Sequence, residues 1–171
     1  MSDPHVRERI AAAWRELANQ AAAFGSGIAR PLAVGWATVE SERAEAELAA
    51  ALGLPEPGAA FRAAPRSAAL GGACRIAAGV PVGGGSLVVL EPDTEGRLAG
   101  SLARLGEGPV AAWLAVGDLA SAIRSLRSAG STVSSEREGP FGGERLILGR
   151  PSEAPGRHRL LVVRAPGTIR P

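Results

Sequence analysis

The chain has 171 residues, of which 46% are hydrophobic and 21% are charged, a composition typical of a globular protein with a packed core. The net charge is only +2, and the arginines are interleaved with acidic residues, so no basic stripe follows a nucleic-acid backbone. No stretch approaches the roughly 20 apolar residues that span a membrane, and no signal-peptide pattern is present. We therefore expect a cytoplasmic protein without nucleic-acid or membrane partners.

The first 30 residues are predicted to form an amphipathic helix and a linker. Asp3 is a candidate N-cap, Pro4 suits the first helical position, and Gly25 ends the helix. Apolar residues recur along it at helical spacing, and we interpret Trp14 among them as a packing residue.

From Pro31 onward, the order strand, helix and three strands occurs twice. The first copy is predicted as a strand over 32–39, a helix over 41–52 and strands over 58–63, 68–78 and 86–91. A connecting helix over 95–105 precedes the second copy: a strand over 110–116, a helix over 118–129 and strands over 131–136, 144–149 and 157–164. We therefore divide the chain into residues 1–30, a first module over 31–92, and a connecting helix with a second module over 93–171.

The two modules are also related by spacing, which favours an internal duplication. Three residues of the first module lie 77 positions before identical residues of the second, namely Trp36, Val39 and Gly53 before Trp113, Val116 and Gly130. Tryptophan occurs only three times in the chain, so a tryptophan pair at a fixed offset carries the most weight.

The middle of the chain resembles the methylmalonyl-CoA epimerase branch of the vicinal-oxygen-chelate (VOC) superfamily, which includes the glyoxalases. The similar segments are Leu87 to Pro92, the Gly-Glu-Gly turn at 106–108, Trp113 to Leu119, and the Gly-Pro-Phe-Gly-Gly run at 139–143. The resemblance covers about residues 31–164. It implies an α+β fold in which two tandem βαβββ modules form one cup-shaped sheet, preceded here by an N-terminal helix.

In that superfamily, four His, Gln or Glu side chains on the cup floor hold a divalent metal, which acts as a Lewis acid on a substrate oxygen. The resemblance places those positions on Val34, Val88, Ala111 and Leu161. None of these side chains can bind a metal, and a shift by one residue finds no histidine either. The resemblance therefore implies a VOC protein without a metal or another cofactor.

Strand alternation then predicts the walls of the cup. If Val34 and Ala111 face inward, so do Trp36, Thr38 and Trp113, because residues two apart on a strand share a face. The two indoles are expected on opposite walls. The pattern leaves open whether they stack on a flat ligand or fill the space left by the metal.

Several polar residues near the predicted cup are candidates for function. Arg159 would share the inward face of Leu161 and bind a carboxylate or phosphate, or form a salt bridge at the rim. Glu91 and Glu107 are candidate general bases. His158 is expected to point away from the face of Leu161.

Two further features receive structural interpretations from the sequence. The loop Gly79–Gly85 is glycine-rich but lacks the sequence of a phosphate loop, so it is interpreted as a connection between two strands and as a candidate flap over the cup. Cys74 is interpreted as a buried hydrophobic residue and not as a nucleophile, because no histidine is near it in the pattern.

Three functions remain open from the sequence. The first is metal-independent binding of a small apolar or aromatic molecule in the cup between the modules. The second is a metal-free isomerase, epimerase or cyclase that uses Glu and Arg groups, so the sequence does not decide whether the chain is an enzyme. The third is a structural or dimerisation domain whose cup is filled by its own side chains. A homodimer is the expected assembly.

Overall fold

The computed structural model describes residues 4–149 and 157–164 of the chain. It begins with the helix α1 (Pro4–Ala23). The first module contains β1 (Ala29–Ala37), α2 (Ser41–Leu52), α3 (Pro57–Ala60), β2 (Arg62–Ser67), β3 (Gly72–Ala77) and β4 (Ser86–Pro92). The helix α4 (Arg97–Leu105) then leads to β5 (Gly108–Val116), α5 (Leu119–Ser128), β6 (Thr132–Val133), β7 (Arg137–Gly139), β8 (Gly142–Leu148) and β9 (His158–Val163).

The structure differs from the predicted elements in three places. The strand predicted over 68–78 is shortened to β3, because residues 68–71 form the turn between β2 and β3. The strand predicted over 58–63 is wrong in its first half, because Pro57 occupies the first position of α3 and favours a helical turn there. The strand predicted over 131–136 is reduced to β6, and β7 was not predicted. Asp118 caps α5 through hydrogen bonds from the backbone N–H groups of the first turn. Asp3 lies outside the described residues.

The strands form one strongly curled mixed sheet in the order β2-β3-β4-β1-β5-β9-β8-β6, with β7 paired to β8. The central strands β1 and β5 are antiparallel, and each has a parallel neighbour from its own module, β4 and β9 respectively. The predicted α+β fold with two βαβββ modules and a preceding helix is thereby confirmed. One backbone hydrogen bond outside these strand pairs, from the N–H of Ala68 to the carbonyl of Glu138 at 2.9 Å, brings β7 close to the end of β2.

The sheet separates two hydrophobic cores. The helix-side core lies under α1, α2 and α5 and includes Ile10, Trp14, Leu48 and Leu126. The cup-side core lies on the other face, where α4 packs against the sheet through Leu98. Because successive strand residues alternate between these cores, the register of each strand decides which side chains can belong to a site in the cup.

None of the helices within residues 4–149 and 157–164 is long and apolar enough to cross a membrane.

Candidate functional site

The register of the two central strands decides which side chains reach the cup. In the antiparallel pair, Ala33 lies opposite Trp113 and Gly35 lies opposite Ala111. When one module is placed on the other, these two pairs exchange. Ala33 then corresponds to Ala111 and Gly35 to Trp113, so the strands repeat at an offset of 78 positions. The offset predicted from the sequence is 77 positions. This difference of one residue reverses the face assigned to each residue of β1.

The prediction that the two tryptophans face each other across the cup is therefore wrong. Trp36 lies in the helix-side core, where the guanidinium carbon of Arg9 is 4.9 Å from the ring centroid. Trp113 lies in the cup-side core, is fully buried, and packs edge-on against Phe141 with 5.8 Å between ring centroids. The cup thus holds one of the two predicted indoles.

The other predicted floor positions divide in the same way. Val88 and Ala111 belong to the cup-side core, as expected. Val34 and Leu161 belong to the helix-side core, so their predicted inward orientation is wrong. Thr38 follows the end of β1, and its hydroxyl donates to Glu107 Oε1 at 2.7 Å instead of facing the cup floor.

The two polar residues at the start of β9 exchange their predicted sides. Arg159 lies between His158 and Leu160, and Leu160 belongs to the cup-side core, so alternation directs Arg159 toward the helix side. His158 is on the cup side, where its Nε2 is 2.9 Å from Ser101 Oγ on α4. Burial lowers the pKa of His158 below its usual value of 6.5, which favours the neutral ring at neutral pH.

The predicted general bases hold the N-terminal end of α2. Glu107 accepts hydrogen bonds from Arg43 at 2.7 and 2.8 Å and from the Val39 backbone N–H at 3.0 Å. Arg43 lowers the pKa of Glu107 to about 2, so this carboxylate is a weak base. Glu91 accepts a hydrogen bond from the Ser41 backbone N–H at 2.9 Å, which satisfies a donor of the first helical turn.

The glycine-rich loop over 79–85 also lies on the opposite side of the sheet from its predicted position. It packs against Trp14 of α1. The contact is so close that a Cβ atom at Gly83 or Gly85 would overlap the indole ring. The prediction that this loop covers the cup is therefore wrong.

A buried carboxyl group in the cup was missed in the sequence. Glu144 on β8 is 0% exposed and accepts hydrogen bonds from the Ser67 hydroxyl at 2.5 Å and from Trp113 Nε1 at 2.9 Å. Burial raises the pKa of Glu144 above its usual value of 4.5. The available signal was its position two residues before Leu146, which places it on the same inward face of β8.

Glu144 also joins the two modules. Its partners Ser67 and Ala69 belong to the first module, with the Ala69 N–H at 3.4 Å from Oε1, whereas Trp113 belongs to the second. These hydrogen bonds lie next to the backbone bond from Ala68 to Glu138. The carboxyl group therefore helps to close the curled sheet across the cup.

A cleft of about 380 Å³ opens between the modules beside this closure. One side of the cleft is formed by residues 68–71 of the first module and by residues 94–97 at the start of α4. The other side is formed by Ser134, Ser135 and Arg137 of the second module. Leu70 and Leu146 line the cleft and also belong to the cup-side core, so the cleft lies at the mouth of the cup.

The floor of the cup is packed. Its innermost side chains are 0% exposed, namely Val88, Leu90, Leu98, Trp113 and Leu160. Cys74 also lies in this core, where burial raises the pKa of its thiol to about 12 and makes it a poor nucleophile. The open space at the cup therefore lies in the cleft and not at the packed floor.

Solved structures with the same arrangement of strands include several methylmalonyl-CoA epimerases, which are VOC proteins. The enzyme from Mycobacterium tuberculosis aligns with a TM-score of 0.64 and 23% identity over 83% of this chain and 93% of that chain. The chain has the VOC fold.

Two further solved structures are similar to this chain. A variant of the Streptomyces coelicolor epimerase, in complex with 2-nitronate-propionyl-CoA, aligns with a TM-score of 0.62 and 21% identity over 81% of this chain and 99% of that chain. A hypothetical protein from Bacillus halodurans gives a TM-score of 0.59 and 15% identity, over 80% of this chain and 94% of that chain. No protein-family model matches the sequence, and no curated protein gives a significant sequence match.

The VOC fold implies a divalent metal on the cup floor, and the residues present there do not fit one. Two inward side chains could bind a metal, but each is already held elsewhere: His158 on β9 by Ser101, and Glu144 on β8 by Ser67 and Trp113. The other inward residues, on the strands that would supply the ligands, include Gly35, Val88, Ala111 and Leu160. None of them offers a lone pair, and the neighbouring Trp113 indole is only a donor. Across residues 4–149 and 157–164, no group of three or more His, Cys, Asp or Glu residues is arranged to hold a metal ion.

Proposed function

We propose that this chain binds a small molecule, without a metal, in the cleft between its two modules. The observation that carries the proposal is the cleft of about 380 Å³ to which both modules contribute walls. Small-molecule sites usually measure roughly 300–1,000 Å³ and favour junctions of this kind. Of the ligand-binding residues predicted from the sequence, Val88, Ala111 and Trp113 lie in the core next to this cleft.

The lining of the cleft indicates the class of ligand. Ala68 and Ala69, with the almost fully buried Leu70 and Leu146, give a small apolar surface. Arg97 and Arg137 supply positive charge, which exceeds the single negative charge of Glu95. We therefore expect a molecule with an apolar or aromatic part and an anionic group, since guanidinium groups bind carboxylates and phosphates well. The complex of the S. coelicolor epimerase with a coenzyme A ester supports small-molecule binding by this fold.

Metal independence is part of the proposal and rests on the hydrocarbon side chains of the cup floor. Val88 and Leu160 are fully buried hydrocarbon side chains, and no group of metal-binding residues is arranged there among the described residues. A cytoplasmic location and a homodimer remain predictions from the sequence.

A metal-free isomerase or epimerase is the second candidate, and Glu144 is the observation that favours it. A buried carboxyl group whose pKa is raised above 4.5 is a stronger base than an exposed carboxylate and is a candidate for proton exchange. The backbone N–H of Ala69, a residue that lines the cleft, lies 3.4 Å from Glu144 Oε1. A small movement of this loop would bring the carboxyl group to the cleft.

Titration with two probes tests the binding proposal. Methylmalonyl-CoA is followed by calorimetry, and 1-anilinonaphthalene-8-sulfonate, which is both aromatic and anionic, is followed by its fluorescence. We expect at least one of them to bind the wild type and to bind Ser135→Trp much more weakly, because the new indole fills the cleft. Ser128→Trp, at the exposed end of α5, is the matched control and should bind as the wild type does.

The same titrations distinguish the alternatives. Equal binding by Ser135→Trp and Ser128→Trp would place the site outside the cleft. If neither probe binds the wild type, the filled-cup alternative, a structural or dimerisation domain, is favoured. Exchange of the C2 hydrogen of methylmalonyl-CoA with deuterium in the solvent, present in the wild type and lost in Glu144→Gln, would establish the metal-free enzyme.

A further inference from the structure

A second groove lies across the sheet from the cup, between α1 and the glycine-rich loop over 79–85. Its volume is about 360 Å³, which is large enough for a small aromatic molecule. Trp14 and Arg15 of α1 line one wall, and Pro31, Val82 and Gly83 line the other. The walls are largely apolar, and Arg15 places one positive charge at the groove.

The loop is built to lie close to the indole of Trp14. A side chain at Gly83 or Gly85 would overlap the ring, so glycine at both positions lets the backbone lie against it. Gly83 also has a φ of 84°, a left-handed conformation that glycine adopts without strain. The loop closes on itself through the Val80 N–H, which donates to the Gly85 carbonyl at 3.0 Å.

The indole nitrogen of Trp14 lacks a hydrogen-bond partner. Trp14 is 5% exposed, its Nε1 is buried, and no acceptor in the described part of the chain binds its N–H group. Buried indole N–H groups usually find an acceptor, because an unpaired buried donor is costly. A donor of this kind at the wall of an apolar groove is free to bind an acceptor atom of a ligand once the loop moves off the indole.

We propose that this groove is a second small-molecule site, which takes planar aromatic compounds bearing a carbonyl or carboxylate oxygen. The oxygen accepts the hydrogen bond of Trp14 Nε1, and the aromatic ring packs against Pro31 and Val82. Arg15 favours a carboxylate over a neutral carbonyl by its charge. The glycines of the loop allow it to shift from the edge of the indole as the ligand enters. This inference does not depend on the function proposed for the cup.

Three naphthalene derivatives test the proposal, because they differ only in the acceptor. They are 2-naphthoate, which has a charged acceptor, 2-acetylnaphthalene, which has a neutral one, and 2-methylnaphthalene, which has none. The readout is the indole N–H signals of ¹⁵N-labelled protein, assigned with single Trp→Phe variants. We expect both acceptor compounds to shift the Trp14 signal downfield, 2-naphthoate at the lower concentration, while Trp36 and Trp113 serve as internal controls.

Two variants extend the test to the individual groups. Trp14→Phe keeps the aromatic ring and removes the donor, so 2-naphthoate should bind roughly fivefold more weakly, the loss of one hydrogen bond. Arg15→Gln should weaken 2-naphthoate and leave 2-acetylnaphthalene unchanged, and Arg127→Gln on exposed α5 should affect neither. The proposal is overturned if the Trp14 signal stays unmoved by both acceptor compounds. It is equally overturned if 2-methylnaphthalene produces the same shift as they do.

Discussion

Gly35 on β1 lies against the indole of Trp113 on β5. A Cβ atom at residue 35 would come within 2.8 Å of Trp113 Cζ3 and of Leu90 Cδ1, and within 2.9 Å of Ala111 Cβ. Because the module repeat relates Gly35 to Trp113, one module supplies the space that the other module fills with its largest side chain. The two copies are therefore sterically complementary at the floor of the cup.

This relationship predicts that Gly35→Ala destabilises the protein although it adds one methyl group. The cup-side core is closely packed, and overpacking of a core typically costs about 1–3 kcal/mol. Urea unfolding followed by circular dichroism measures the loss. The matched control is Gly100→Ala on α4, where a Cβ atom meets open space, and the gain in helix propensity should stabilise by about 0.5–1 kcal/mol. Unaltered stability of Gly35→Ala would show that the floor is loosely packed.

The buried carboxyl group of Glu144 predicts a distinct dependence of stability on pH. Burial raises its pKa in the folded state above 4.5, so its contribution to stability is greatest at low pH. That contribution is lost as the pH rises from about 4.5 through the folded-state pKa. Glu144→Gln resembles the neutral acid and should therefore gain stability relative to the wild type as the pH rises from 4.5 toward 8.

The measurement for Glu144 is the midpoint of urea unfolding across this pH range, in the wild type and the variant. Glu138→Gln, at an exposed position on β7, is the matched control. A constant difference between Glu144→Gln and the wild type at all pH values would contradict the raised pKa.

Glu107 predicts the opposite pH dependence. The Arg43 guanidinium lowers its pKa from 4.5 to about 2, so its contribution is present above pH 4.5 and is lost as the pH falls through about 2. Glu107→Gln should therefore destabilise the protein at pH 7 and converge with the wild type near pH 2. Thermal unfolding at a series of pH values tests this, with the exposed Glu56→Gln as control. A variant that loses equal stability at both extremes would show that the Arg43 contact contributes through packing and not through charge.

The proposed metal independence predicts the response to divalent ions. Addition of Zn²⁺, Ni²⁺ or Co²⁺ should leave the melting temperature unchanged, because a ligand that binds the folded state raises it. Treatment with EDTA should likewise leave probe binding in the cleft unchanged. Stoichiometric metal in the purified protein, measured by mass spectrometry, would refute this part of the proposal.

The order of most elements and the repetition of the modules follow from local patterns in the sequence. Turn residues and capping residues such as Asp118 act locally, and a strand or helix can be recognised from a short window of residues. The helix-terminating glycines Gly53 and Gly130 keep the offset of 77 positions predicted from the sequence. The resemblance to the VOC superfamily rested on such segments, and the fold confirmed it.

The face that each strand residue occupies depends on the register of the strands in the folded sheet. The strands repeat at an offset of 78, and with a side-chain period of two residues this single step moved Trp36 and Val34 out of the cup. Glu144 was missed for a different reason. Its hydrogen-bond partners are far away in the sequence, Ser67 by 77 positions and Trp113 by 31. Contacts of such long range arise from the curl of the sheet, which local sequence patterns do not encode.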